Sequence, residues 1–421
     1  MATKEDVVNT ALITNDATVM GLLALILGFV FYTSQSKNSF WQKFYTFIPV
    51  LLMCYFLPSL LNTFGIVSGD ASKVYFVASR YLLPACLVLL IISVDLKAIL
   101  NLGWKAPVMF LVGTAGIVIG GPLAIIVVSS FQPEWVGGQG PEAVWRGMTT
   151  VAGSWIGGGA NQAAMKEIFE VGGDVFSAMV TVDIIVANVW MAVLLIMAGN
   201  AKKIDAARGA DTTAIEELKD SVERYKAENE KMPQLNNYMI LVAIGFGVTG
   251  FAHFVADILA PYFSQFPDLQ RFSFHSKFFW MIVTTTVVAL CLSFTKLRQQ
   301  ESYGASKVGS AFLYVLIASI GLHMDIMAIF SNYQLFVIGG IWMSVHAIFM
   351  LTVAKLIKAP LFFMAVGSQA NVGGAASAPV VAAAFHPALA PVGVLLAVFG
   401  YVVGTFAAWF CGMLMQGVAP V

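Results

Sequence analysis

From residue 17 to residue 416 the chain is a succession of apolar stretches, most of them long enough to cross a bilayer. Hydrocarbon offers a backbone N–H or C=O no partner, so such stretches must be helices that close their hydrogen bonds internally. Runs fall near 17–33, 44–63, 77–100, 105–130, 147–169 and 174–198, then near 237–260, 277–295, 306–329, 333–356, 362–385 and 389–416. This pattern predicts an all-α polytopic membrane protein of about 12–13 transmembrane helices. Charge agrees, since only 11% of the residues are charged, where soluble domains carry about 25%. A net charge of zero and the absence of a basic stripe exclude nucleic acid and leave the lipid bilayer and a small-molecule solute as partners. Cys54, Cys86, Cys291 and Cys411 lie inside apolar runs without CxxC spacing and read as small buried hydrophobes. The first run has no small-residue cleavage pattern and reads as a retained span.

Two halves flank a charged connector. Residues 1–200 and 236–421 read as two membrane repeats, and 201–235 as a cytoplasmic connector. Its segment AIEELKDSVERYKAENEK sets opposite charges three or four apart, as on a solvated helix. VDLKAIL at 94–100 matches MDIMAIF at 324–330, which sets Asp95 opposite Asp325. Further on, GSWIGGGANQAA at Gly153–Ala164 aligns with GSQANVGGAASAP at Gly367–Pro379, placing Gly158-Gly159-Ala160 on Gly373-Gly374-Ala375. Two matches in one order indicate an internal duplication, read here as inverted. Parity stands in the way: six spans per half, joined directly, give parallel repeats, so inversion needs a miscounted crossing. The connector's bases, with Lys37, Lys43, Lys97, Lys105, Lys296, Arg298, Lys307, Lys355 and Lys358, favour the cytoplasmic side.

The glycine segments carry the chemistry. A lipid-facing helix has no use for so many Gly, Asn, Gln and Ser residues, whereas a broken helix lining a solute site does. Gly157, Gly158 and Gly159 permit unwinding in the first, and Gly373, Gly374 and Pro379 in the second. Ser154, Asn161, Gln162, Gln369, Asn371 and Ser377 would contact solute or ion. Asp183 lies mid-span with Asn188 five residues on, and a carboxylate at that depth binds a cation, pairs, or is protonated. Na+ could sit at Asp183, Asn371 and Gln369, and Na+ or H+ would be the coupling ion, with no other cofactor. His253, His323 and His346 read as polar packing. No His accompanies Ser154 or Ser368 within its motif, so an enzyme is not expected.

The order of these motifs, with Gly-Ser-x-x-Asn-x-Gly-Gly at 367–374 and GSWIGGGANQ at 153–162, resembles the superfamily of bile-acid:sodium symporters and cation:proton antiporters, most closely its YjcL-like bacterial branch. The resemblance implies two crossing, unwound helices, alternating access, a possible homodimer and residence in the bacterial cytoplasmic (inner) membrane. It implies a secondary transporter of an anionic or zwitterionic organic solute, the alternative being a Na+/H+ antiporter using Asp183. The antiporter branch carries an acidic or Asn-Asp pair after its first crossing helix; here the pair is Val182-Asp183, which matches only in its second residue.

Overall fold

The computed structural model describes residues 12–48, 50–69, 72–94, 99, 102–210, 212–213, 215, 232–266, 274–323, 333–386 and 389–420. Asp95, Asp325 and most of the charged connector lie outside the described residues. Helices account for the described elements, together with one isolated bridge between Ile13 and Val67. In the first half these are α1 (Asp16–Ser34), α2 (Ser39–Phe47) with α3 (Val50–Thr63), α4 (Val74–Ile92), α5 (Lys105–Ser129), α6 (Val144–Ile168) and α7 (Gly173–Gly199). A short α8 (Ala201–Arg208) starts the connector. The second half gives α9 (Leu235–Ser264), α10 (Lys277–Ser293), α11 (Ala305–Gly321), α12 (Gln334–Leu356), α13 (Leu361–Val372), α14 (Gly374–Phe385) and α15 (Ala390–Val418). Among the described residues seven helices are long and apolar enough to cross a membrane alone, and a 95° bend joins α10 to the 3₁₀ turn Lys296–Tyr303.

Every apolar run therefore has its helix, but two of them do not cross. A straight helix would put residues 146 and 169 about 34 Å apart. Instead the Arg146 guanidinium donates to the Phe169 carbonyl, and the Trp145 and Phe169 rings lie 6.0 Å apart. The chain reverses at Gly158 (φ 72°, ψ −174°), a backbone region open essentially only to glycine. On the returning arm, Asn161 O passes so close to Gly153 that a Cβ there would sit 2.6 Å from it. In the second half α13 and α14 reverse at Gly373-Gly374, and Phe362 meets Phe385 with ring centroids 5.4 Å apart. The crossing helices expected from sequence are thus two re-entrant hairpins, α6 and α13–α14. Among the described residues, five other apolar helical runs accompany one hairpin in each half.

Polar ties fix which helix ends share a face. On one face lie the base of the α6 hairpin, where Gly172 N donates to Pro141 O at 2.8 Å, and the Tyr75–His323 ring pair. The other face holds the base of α13–α14, where Leu361 N donates to Asp205 at 2.8 Å and Lys105 Nζ to Lys358 O at 3.0 Å. The two hairpins therefore enter from opposite faces. Lys37, Lys43, Lys105, Lys202, Lys203, Arg208, Lys296, Arg298, Lys307, Lys355 and Lys358 all fall by connectivity on the second face.

The helices sort into two bundles, each taking elements from both halves. α5, α6, α7, α12, α13–α14 and α15 pack on one another as a core bundle, while α1, α3, α4, α9, α10 and α11 form an outer scaffold. Close approach explains the core. On α15, a Cβ at Gly404 would lie 2.5 Å from Gly157 Cα and one at Gly400 2.7 Å from Ile156 O, so this Gly-x-x-x-Gly stripe admits the α6 backbone directly.

Candidate functional site

The tips of the two hairpins meet inside the core. A Cβ on Gly374 (φ 58°) would stand 3.7 Å from Gly158 Cα, so the two turns, aligned in the sequence, touch in space. Around this junction lie the polar side chains singled out above, nearly all buried.

Asn161 and Asn371 do the same job on the two hairpins. Asn161 Nδ2 donates to Gly157 O and to Tyr401 O, both at 3.1 Å, and its Oδ1 accepts from Thr405 at 2.8 Å. Asn371 Nδ2 donates to Gly367 O at 2.9 Å and Phe110 O at 2.8 Å, and its Oδ1 accepts from Thr114 at 2.8 Å. Asn161 ties across the break at Gly158 to Gly157, Asn371 across a regular turn of α13 to Gly367, and each reaches one neighbouring helix, α15 or α5. Both are fully buried and have both N–H groups engaged, so they bolt the hairpins in place.

Asp183 on α7 organises a second group. Its Oδ1 accepts from Trp155 Nε1 at 2.7 Å and its Oδ2 from Gln162 Nε2 at 2.9 Å, with Ser154 beside it. Gln162 Oε1 in turn accepts from the Tyr55 hydroxyl of the scaffold at 3.2 Å. Asn188 stays outside this group: five residues on, about 140° around the helix, it is half-buried and donates to Ile184 O at 2.7 Å.

The second hairpin holds the third group. Gln369 Nε2 donates to Ser377 Oγ at 2.7 Å, and both side chains crowd the Gly373 Cα. Gln369 Oε1 is buried without a hydrogen-bond partner. Pro379, inside α14, has no N–H to give Ala375 O. Asp183, Asn371 and Gln369 thus sit in three separate hydrogen-bond sets.

Two features went unread in the sequence. Ser368 Oγ lies 2.8 Å from His346 Nε2 and accepts from Trp190 Nε1 at 2.8 Å, while His346 Nδ1 faces Gly113 O at 3.0 Å. A carbonyl only accepts, so Nδ1 carries the proton and Ser368 donates to Nε2. Arg80 was missed as well, although it lies inside the run 77–100. It sits in a π-helical turn, Ala78–Leu82, of α4, and Pro84 cannot donate to its carbonyl. His253 Nε2 on α9 bonds that carbonyl at 2.8 Å.

A pair of re-entrant hairpins, inserted from opposite faces and touching at glycine tips within a multi-pass helical bundle, defines a polytopic membrane protein built around a central polar junction. The chain belongs to the family described as "Protein of unknown function (DUF819)", which matches residues 21–418. It is 23% identical over 353 residues to the uncharacterized membrane protein YjcL of Bacillus subtilis (strain 168), covering 81% of this chain and 83% of that protein. The YjcL-like likeness read from the glycine motifs is borne out at that level.

Proposed function

We propose that the protein is a secondary active transporter that moves a small anionic or zwitterionic organic solute, coupled to Na+ or H+, by alternating access. The observation that carries this reading is the contact of the two hairpin tips. Irregular backbone at membrane depth is tolerated where it is enclosed by protein or lines a cavity, and paired breaks near the midplane are where transporters hold solute and ion. If the five other helical runs of each half all cross, their odd number makes the repeats of this reading inverted and removes the parity difficulty. The lysine-rich face is then cytoplasmic, in a bacterial inner membrane. The core bundle would move against the scaffold; α1 and α9, each only 28% buried, offer the scaffold surface for a homodimer.

Among the described residues no three His, Cys, Asp or Glu side chains converge on a metal. A coupling Na+ would therefore be held by neutral oxygens, for which Gln369 Oε1, Ser377 Oγ and Ala375 O at the second tip are suited. The paired hairpins differ from crossing helices, so kinship with the wider symporter and antiporter superfamily adds no support. Catalysis is not part of the reading: Ser368 meets His346 without solvent access, both being fully buried. The alternative, a Na+/H+ antiporter, draws on Asp183, whose hydrogen-bond donors Trp155 and Gln162 are uncharged.

Proteoliposomes holding a pH-sensitive dye under an imposed Na+ gradient separate the two. Proton movement without organic solute that vanishes in Asp183→Asn establishes the antiporter. Silence from folded protein, followed by Na+- or H+-driven uptake of a small acid, amino acid or short peptide, establishes the solute carrier.

A further inference from the structure

A cavity of about 690 Å³ lies at the seam between the scaffold and the returning arm of the α6 hairpin, lined by Arg80, Tyr81 and His253 on one side and Lys166, Glu167 and Val171 on the other. It opens on the face from which that hairpin enters, where Glu170 is exposed. Its charges balance, with Arg80, Lys166 and Lys277 against Glu167, Glu170 and Asp257. That balance selects an ion of neither sign. What distinguishes its ion pairs is where they lie. Lys277 and Asp257 meet at 2.8 Å within the scaffold, on α10 and α9. Arg80 Nη1 and Glu167 meet at 2.7 Å across the seam.

The tie across the seam is built from both sides. On the scaffold, Arg80 lies 4.6 Å from the centre of the Phe278 ring of α10, and His253 of α9 holds its carbonyl at 2.8 Å. On the hairpin, Glu167 also accepts from the Tyr75 hydroxyl of α4, which itself accepts from Lys166 Nζ at 3.0 Å. Toward the same face Trp409 of α15 rests against Phe279 of α10, with ring centroids 5.7 Å apart. Five residues deeper on the arm, about 7 Å, Gln162 joins Tyr55 of the scaffold to Asp183. The Arg80–Glu167 pair thus stands between the cavity and the polar junction. Its side chains are 30% and 12% exposed, so the closed pair is largely shielded, while each charge regains water when the bundles part. Such a closure is reversible.

We propose that Arg80, Tyr75 and Glu167 form an outer gate, a latch across the seam between scaffold and core. Closed, it shuts the hairpin junction off from the cavity; it parts when the two bundles move. The gate rests on the transporter reading for what passes it; the closure of the seam does not. Loss of either charge should shift the seam toward its open form, because only the closed form makes the pair. The Lys277–Asp257 pair, made within the scaffold in both forms, should have no such effect.

Ile317 is the probe position: fully buried on α11, it faces the first hairpin tip, its Cδ1 3.9 Å from where a Cβ on Gly159 would stand. Ile317→Cys is placed in the full-length chain without its four native cysteines, and a membrane-impermeant methanethiosulfonate is added to right-side-out membrane vesicles. Labelling should be slow with the latch intact and about tenfold or more faster in Glu167→Gln and in Arg80→Gln. Arg80→Lys, which keeps the charge, should restore part of the protection, and Lys277→Gln should leave the rate unchanged. In inverted vesicles, where the reagent reaches the other face, neither variant should speed labelling. Cys411, kept as the only thiol and buried between α15 and α5, should stay unlabelled throughout, which separates opening of the seam from unfolding. The gate is refuted if Glu167→Gln labels at the parent rate, if Lys277→Gln speeds labelling equally, if the gain appears only in inverted vesicles, or if Cys411 becomes labelled alongside. Should Arg80→Gln fail to fold, Glu167→Gln against Lys277→Gln decides. These signs in a protein that takes up no solute uphold the latch and remove the transporter reading; uptake with an unchanged labelling rate does the reverse.

Discussion

Replacing Asn371 by alanine asks whether the buried asparagines hold the hairpins or hold a ligand. The side chain makes three hydrogen bonds of 2.8 to 2.9 Å, to Gly367 O, Phe110 O and Thr114 Oγ1, in a fully buried site. Side-chain hydrogen bonds inside membrane proteins contribute about 0.6 kcal/mol each on average and about 1.7 at most. Three of them give about 2 kcal/mol, or about thirtyfold in the folding equilibrium. Asn161→Ala removes the same three kinds of bond, two of them slightly longer at 3.1 Å, and should lose as much or a little less. The assay is reversible denaturation in mixed micelles, followed by tryptophan fluorescence, on both single variants and the double. The sites touch different helices, so the double variant should lose the sum to within about 0.5 kcal/mol. A loss under about 0.5 kcal/mol in either single variant, with uptake abolished, would refute the reasoning. It would mean that the amide turns toward solute and that the bonds to α5 or α15 are incidental.

Four further outcomes follow from the structure. Gly404→Val drives a branched side chain against Gly157 Cα, 2.5 Å from the new Cβ, and should cost about 1–3 kcal/mol or more in the same denaturation assay. Gly247→Ala, where nothing lies within 4 Å, should be neutral or stabilising by up to about 1 kcal/mol. In Asp183→Asn the new NH2 must face Trp155 Nε1 or Gln162 Nε2, both donors, so coupled transport should fail and the Trp155 emission should shift, measured against Trp155→Phe. Asp205 lies outside the spans, and burial pushes its carboxyl above the usual range despite the Leu361 N–H it accepts. A raised folded-state value adds stability at low pH that is lost as pH rises through the carboxylate range, so melting of the wild type should fall relative to Asp205→Asn between acid and neutral pH.

Apolar length alone made the helices legible, because a membrane span leaves the backbone no other closed form. The glycine segments were legible as special for the same reason: Asn161, Gln162, Gln369 and Asn371 have no business in lipid. What the sequence hid was direction. A Gly-rich stretch of span length looks alike whether it crosses or turns back, and only the Arg146–Phe169 and Phe362–Phe385 meetings tell them apart. The parity conflict between six runs per half and an inverted repeat was the available signal. Alignment on Gly-Gly-Ala also obscured the asparagines, since their common role rides on Gly-x-x-x-Asn, at Gly157–Asn161 and Gly367–Asn371. Arg80 could have been noticed as a cation inside an apolar run with proline four residues later. Its partner Glu167, far along the chain, could not.

Several of the core's polar ties end on backbone. Asn161, Asn371, Trp342 and His346 reach the carbonyls of Tyr401, Phe110, Ile117 and Gly113. Every residue supplies a carbonyl, so the receiving positions are free to drift in evolution as long as the donor stays. The ties between core and scaffold, Tyr55 to Gln162, Arg80 to Glu167 and Thr286 to Thr405, join side chain to side chain, and either change breaks them. Divergence down to the 23% identity shared with the Bacillus relative can therefore leave the hairpin junction standing while the seam around it is rewritten. Family members would then differ first at that seam and last in how they are built.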